Sequence, residues 1–292
     1  MHLKALITGS AGFAGRHFRK ALEHGGWDVT GIDIADGNDA RGFFRTDGRQ
    51  FGLVVHCAAV VGGRALIDGP PLALAVNLEL DAALFRWALR TRPGRVIYLS
   101  SPAAYPVALQ RAPRLLTEND LDLTDPRMPD QLYGWAKLTG EMLANRARAE
   151  GLPVTVVRPF SGYGEDQPDC YPFPALAARA RRREDPFAIW GTGEQVRDWI
   201  HVDDICAAIL AMVREGIDGP VNLGTGRPVS MRELAGMMCA AAGYEPEFKP
   251  LPEMPAGVAY RVADVTRLSE FYHPEVTLEE GILRALNTNG RK

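Results

Sequence analysis

An apolar stretch, Ala5–Thr8, runs directly into TGSAGFAG (residues 8–15), with glycines at 9, 12 and 15, and a helical pattern opens at once behind it. Strand, glycine turn and helix in immediate succession commit the chain to a parallel sheet with crossover helices. The same turn lets backbone N–H groups approach a pyrophosphate at the positive end of the helix. An ordinary glycine-rich turn is the competing explanation, and a second residue weighs against it. Asp33 lies 18 residues beyond Gly15, at the end of the next predicted strand. A carboxylate there accepts both hydroxyls of a ribose and repels a 2′-phosphate. The following Ile34-Ala35 offers no arginine to receive such a phosphate. NAD is therefore expected as cofactor, ahead of NADP.

The rest of the N-terminal half agrees with this start. Strands are predicted at His2–Thr8, Asp28–Ile34, Leu53–Cys57, Arg95–Ser100 and Pro153–Val157, and helices at Gly12–His24, Leu72–Arg90 and Gln131–Glu150. Runs such as LVVHC and VTVV are apolar throughout, as strands buried on both faces must be. One crossover is short. Between Asp33 and Leu53 there is room for little more than one connection. The residues predict a short helix at Asp39–Arg45, capped by Asp39 and packed through Phe43 and Phe44, at the expense of a strand.

After Arg158 the pattern changes. Proline and glycine rise in RPFSGYGEDQPDCYPFP; a basic helical segment, Ala175–Arg183, follows, then a strand at Phe187–Trp190. A helix at Asp203–Val213, a strand at Val221–Leu223 and a helix at Met231–Ala242 come next. This predicts a dinucleotide-binding domain over 1–158, completed by 192–223, and a smaller substrate-binding lobe from 159–191 and 224–292. With 33 Lys and Arg against 36 Asp and Glu the net charge is −3, which argues against a nucleic-acid partner. No apolar run is long enough to span a membrane, and Met1–Gly9 reads as strand and turn, not as a secretory signal. The four cysteines, at 57, 170, 206 and 239, show no metal or redox spacing, so a cytoplasmic location is expected.

Residues 133–137 read YGWAK. On a helix Tyr133 and Lys137 share a face, and an ammonium beside a phenol favours the phenolate, which suits general acid–base chemistry. Ser101 ends the predicted strand RVIYLSS, where ligands of open parallel sheets collect. Taken in order, TGSAGFAG, HCAA, VIYLSSPAAY, YGWAK, VVRPFSGYG and VRDWIHVDD resemble the extended short-chain dehydrogenase/reductase family, in its nucleotide-sugar epimerase, dehydratase and reductase branch. The resemblance runs from about Leu3 to Leu286. It implies an α/β fold: a Rossmann-type doubly wound parallel sheet with a smaller C-terminal α+β substrate lobe.

Carried over position by position, the resemblance implies that Tyr133 is the acid/base, that Lys137 lowers its pKa and holds the nicotinamide ribose, and that Ser101 bonds the reacting oxygen. Gly9, Gly12, Phe13, Ala14 and Gly15 would face the pyrophosphate, with Asp33 on the adenosine ribose. Ala58 and Ala59 would line the cofactor with Asn77 behind them, and Pro159 and Phe160 would supply backbone near the nicotinamide. Arg197 would grip the nucleotide diphosphate, a task that suits the donor fork of a guanidinium. It further implies a homodimer packed through the helices Leu72–Arg90 and Gln131–Glu150.

Departures narrow the reaction. Pro102 and Ala103 stand where sugar 4,6-dehydratases carry an Asp-Glu pair, and Ala103 also replaces the cysteine of 3,5-epimerising members. Ser161 replaces the expected asparagine and remains able to bond a sugar or phosphate oxygen. Met254 occupies the place of a second diphosphate arginine, for which Arg261 is the candidate substitute. The loop VVGGR (60–64) resembles that of the GDP-sugar epimerase-reductases. His56 and His201 read as structural histidines, and the run RARRRED as a solvated helix face. The expected activity is NAD-dependent epimerisation of a nucleotide-linked sugar at C4. A nucleotide-4-ketosugar reductase or sugar dehydrogenase is the second reading. A non-catalytic dinucleotide sensor is the third, opposed by the complete Ser101/Tyr133/Lys137 set.

Overall fold

The computed structural model describes residues 3–63 and 71–287. Its centre is a parallel sheet of six strands, β1 (Lys4–Thr8), β2 (Asp28–Ile32), β3 (Leu53–His56), β4 (Val96–Leu99), β5 (Val154–Pro159) and β6 (Gly219–Leu223), in the spatial order β6-β5-β4-β3-β1-β2. Side chains alternate between two cores. Ala5, Ile7, Leu53, Val55, Ile97 and Val157 point to one side, where helices Phe13–His24 and Val202–Glu215 cover them through Phe18, Leu22, Ile205 and Ile209. Leu6, Val54, Val96, Tyr98, Val154 and Val156 point to the other, under helices Pro71–Thr91 and Gln131–Ala149. Burial on both faces explains why these strands are apolar at every position.

The short crossover has the predicted form. Helix Ala40–Thr46 follows Asp39, whose carboxylate accepts from Arg41 N at 2.8 Å. Phe44 is buried 5.3 Å from the ring of Trp87, and Trp87 Nε1 in turn donates to Asp47 O at 3.1 Å. No strand lies between this helix and β3, so β2 forms the edge of the sheet. The aromatic packing closes that end instead.

The remaining segments form the lobe. Helix Pro172–Arg181 begins three residues before its predicted start, because prolines at 172 and 174 fit a first turn as well as they fit a loop. Strand Phe187–Trp190 pairs in parallel with Phe248–Leu251, and Val196–Arg197 lies between Val229–Ser230 and Tyr260–Arg261. Helix Met231–Ala241 opens with a capping box of Ser230 and Glu233. Phe173, Phe187, Ile189, Trp199, Leu234, Met238 and Ile282, the last from helix Leu278–Asn287, share one core. Strand Phe187–Trp190 has its predicted bounds, whereas the two-residue strands here, and everything from 248 onward, lie outside the predicted elements. Two-residue bridges carry no periodicity, and Pro250 disguises an edge strand.

Candidate active site

The carboxyl ends of β1, β3, β4 and β5 open into a crevice of about 550 Å³ between the sheet and the lobe. At its sheet end is the glycine turn. Gly9 has φ +69°, and a Cβ on it would lie 2.6 Å from Ala58 N; a Cβ on Gly15 would lie 2.0 Å from the carbonyl oxygen of Gly9. Helix Phe13–His24 has no side-chain cap, and its first internal bond is Arg16 N to Gly12 O. The N–H groups of Phe13, Ala14 and Gly15 therefore lead the helix without intrahelical partners. Phe13 and Ala14 line the crevice. Asp33 stands beside the turn: its Oδ2 accepts from Ala11 N and its Oδ1 from Ala35 N, both at 2.9 Å. Each oxygen keeps acceptor capacity for a hydroxyl. A cradle with no room for a Cβ, a row of leading amides and a carboxylate at the end of β2 fit a dinucleotide.

Ser101 follows β4. Its Oγ accepts from Ala103 N at 3.2 Å, which leaves the hydroxyl hydrogen available to a ligand. Tyr133 and Lys137 lie one turn apart on helix Gln131–Ala149, and both line the crevice with Ser101. Lys137 Nζ donates to Leu99 O at 2.8 Å and stands 6.0 Å from the centre of the Tyr133 ring. The end of β4 thus fixes the ammonium relative to the phenol. Pro159, Phe160, Ser161, Ala59 and Arg197 line the same space. Arg197 is nearly buried, its guanidinium bonded to Val196 O and Ala256 O. Next to it the buried Asp198 carboxylate accepts from the amides of Thr225, Gly226 and Ala263, which anchors this strand. Burial raises the Asp198 pKa despite those bonds.

Other expected residues act at one remove. Asn77 is buried and spends its amide on both backbone groups of Val60, so it shapes the loop after β3 that carries Ala58 and Ala59. Arg64, the end of the VVGGR loop, lies outside the described residues. His56 bonds Thr8 Oγ1 at 2.8 Å and stacks on Tyr98 in the core, as a structural histidine does. His201 accepts from Asp203 N through Nδ1, capping helix Val202–Glu215, and its Nε2 meets Glu165 at 3.0 Å. The arginine run is exposed at residues 181–183, as a solvated face should be, and it also makes bonds the sequence did not announce. Arg181 and Arg183 stitch the lobe through the carbonyls of Ala285, Ala242 and Gly243, and Arg179 bonds Ala188 O while lining the crevice. Folding back of the chain supplies those acceptors. Among the described residues no group of three His, Cys, Asp or Glu side chains is placed to hold a metal.

A buried polar network beneath the serine turn has no counterpart in the sequence reading. Arg158 grips Glu141 with Nε and Nη2 at 2.9 and 2.7 Å, and Ser100 donates to the same carboxylate. Arg158 also donates to the Tyr105 hydroxyl, which donates to Asn222. Helix Gln131–Ala149, β5 and β6 are tied together by these bonds. An arginine inside the apolar strand VTVVRP was the available signal.

The pattern of the NAD dependent epimerase/dehydratase family matches residues 5–224. This chain belongs to that family. The match contains the glycine turn, Asp33, Ser101, Tyr133, Lys137 and Arg197, and the family is NAD-dependent, the cofactor expected from Asp33. A dTDP-4-dehydro-6-deoxy-D-allose reductase of Streptomyces sp is 30% identical, over 91% of this chain and 89% of its own. The GDP-L-fucose synthase of Escherichia coli K12 is 25% identical, over 96% and 94%. Among solved structures, the UDP-glucose 4-epimerase of Thermotoga maritima, determined with UDP-glucose, superposes with a TM-score of 0.83 at 26% identity and 97% coverage of each chain. The UDP-glucose 4-epimerase of Thermus thermophilus, at 22% identity and a TM-score of 0.83, shares the fold.

Proposed function

We propose that this enzyme interconverts a secondary alcohol and a ketone at C4 of a nucleotide-linked sugar, with the net result of epimerisation. The observation that carries the reading is the convergence of Ser101, Tyr133 and Lys137 on one crevice, together with the leading amides of helix Phe13–His24. NAD, when bound, would supply the redox chemistry as a reversible hydride acceptor. Tyr133 takes the hydroxyl proton and gives it back on reduction. Ser101 donates to the same oxygen, which stabilises charge there. Lys137, tethered to Leu99 O, places a positive charge beside the phenol and within reach of a ribose. Gly9 to Gly15 and Asp33 would hold the dinucleotide, and Ser161 and Arg197 the sugar nucleotide. Ala58, Ala59, Asn77 and Pro159 would shape the walls around the nicotinamide. Pro102 and Ala103 supply no carboxyl pair for water elimination.

The second reading, a net reductase of a nucleotide-4-ketosugar, is favoured by the 30%-identical reductase of Streptomyces. The two separate on one measurement. With a panel of nucleotide sugars and their 4-keto derivatives, the epimerase converts substrate with no net change in nicotinamide absorbance. Stoichiometric loss of NADH selects the reductase. Tyr133→Phe is expected to lower turnover by about 10²-fold or more with NAD binding retained. Equal inertness of wild type and variant across the panel would leave only the sensor.

We also propose a homodimer, built on helices Pro71–Thr91 and Gln131–Ala149. These pack on each other and leave Leu78, Leu132 and Trp135 about 40% exposed. The division of the chain proposed here puts 1–158 and 192–223 in the dinucleotide domain and 159–191 and 224–292 in the substrate lobe. A cytoplasmic site of action belongs to the same reading; no described helix is long and apolar enough to cross a membrane.

A further inference from the structure

Arg261, the candidate for a second diphosphate arginine, lines the crevice, and two side chains already hold its guanidinium. Its Nη2 donates to Asp130 Oδ2 at 2.8 Å and its Nε to Gln110 Oε1 at 2.6 Å. We propose that Arg261 is a positioning residue: through Asp130 it sets where the helix carrying Tyr133 begins, and so where the phenol stands. The proposal rests on Tyr133 being the acid/base.

Asp130 occupies the N-cap position of helix Gln131–Ala149, where an aspartate ordinarily turns its carboxylate onto the first amides of its own helix. It makes no such bond. Its side chain is 6% exposed, against 14% for Arg261, and is directed across to the lobe strand Tyr260–Arg261. The next residue, Gln131, has φ +58°. A non-glycine side chain holds that conformation only where its surroundings over-determine it. On the other side, Asp130 N donates to Ala103 O at 2.9 Å, and a Cβ on Gly134 would lie 2.3 Å from that oxygen. The first turn of the helix is therefore seated directly on the turn that follows Ser101. Asp130 lies three residues before Tyr133, between Ser101's turn on one side and Arg261 on the other.

The clamp also reaches the substrate side. Tyr260–Arg261 pairs in parallel with Val196–Arg197, so one small sheet carries both Arg197 and the arginine that holds the catalytic helix. Catalytic geometry is sensitive at this scale, since a misplacement of about 1 Å can cost on the order of 10²-fold in rate.

The test compares Arg261→Met, Arg261→Lys, Asp130→Asn and the double variant Asp130→Asn/Arg261→Met, each loaded with NAD and assayed on the nucleotide sugar that wild type turns over. Arg261→Met is expected to lower kcat by about tenfold or more, with KM and the NADH Kd within about twofold of wild type. Arg261→Lys recovers part of the loss. The double variant, which leaves no buried unpaired charge, is no slower than Arg261→Met, because the two groups act as one unit. A raised KM with unchanged kcat would overturn the proposal by making Arg261 a substrate contact. So would additive losses.

Hydrogen exchange of the NAD-loaded protein gives a readout independent of turnover. Peptides spanning 128–138 exchange faster in Arg261→Met and Asp130→Asn than in wild type; unchanged protection there refutes the clamp. If Tyr133→Phe proves as active as wild type, the acid/base reading fails, and the exchange experiment still decides whether Arg261 holds the helix.

Discussion

Gly15→Ala would separate binding of the dinucleotide from stability of the fold. The added Cβ would sit 2.0 Å from Gly9 O and 2.8 Å from both Gly9 C and Ser10 Cα. All three are backbone atoms of the glycine turn, so no flexible side chain can yield. Restoring a contact of even 3.0 Å moves helix Phe13–His24 back by about 1 Å, or opens the turn by as much. Overpacking of this kind costs about 1–3 kcal/mol, a fall in Tm of several degrees for a chain of this size. The same displacement pulls the leading amides of Phe13, Ala14 and Gly15 from a pyrophosphate. Losing one hydrogen bond to a charged group costs about 1.5–3 kcal/mol, so the NADH Kd should rise roughly 10- to 100-fold. Titration calorimetry with NADH, at a temperature well below both unfolding transitions, measures it. Gly42→Ala is the control. Its Cβ would meet open space within helix Ala40–Thr46, and the change should stabilise by about 0.5–1 kcal/mol with NADH affinity unaltered. A Gly15→Ala protein that binds NADH within twofold of wild type would refute the assignment of this turn.

Three further outcomes are expected. Arg158→Met strands the Glu141 carboxylate in the core and should cost about 3–5 kcal/mol in urea unfolding, with much of the loss recovered in Arg158→Met/Glu141→Gln. His17 lies between Asp203 at 3.2 Å and Asp166 at 2.9 Å, and the bond to Asp203 leads in raising its pKa above 6.5. Its stabilisation is therefore complete below the ordinary histidine range and is lost as pH rises through the raised value. Thermal melts should show wild type losing up to about 1 kcal/mol over that interval, relative to a flatter His17→Gln profile; parallel profiles would contradict the pairing. Asp203 is held down at about 2, with His17 the main cause, so its own contribution fails only in strong acid. Leu132→Glu/Trp135→Glu should convert the proposed dimer to a monomer by light scattering, while a wild-type monomer at working concentration would remove the interface.

Much of the site was legible in the residues because its signals are local. The glycine turn, the acid after β2, the serine after β4 and the Tyr133/Lys137 pair each sit within one element or at its end. Their convergence follows from the rule that parallel strands open their ligand site at the carboxyl edge. The short crossover was legible too, since Asp39 and two phenylalanines announce a helix within a stretch too brief for more. Local signals ended there. Asp130 looks like a helix cap and is an ion-pair partner of Arg261. Arg181 and Arg183 are exposed, as the sequence suggests, yet they also bond carbonyls that the chain returns from the far side of the lobe.

By itself the sequence determined an NAD-type parallel α/β domain, the order of its strands and helices along the chain, and the chemical identity of the groups at the crevice. Those properties depend on periodicity and on neighbours a few residues away. Only the tertiary structure decided that Arg158, Glu141, Tyr105 and Asn222 form one buried network, and that residue 261 holds residue 130. Hydrogen bonds between residues tens to more than a hundred positions apart leave no periodic trace in a sequence. Which donor finds which acceptor is settled when the lobe folds against the sheet.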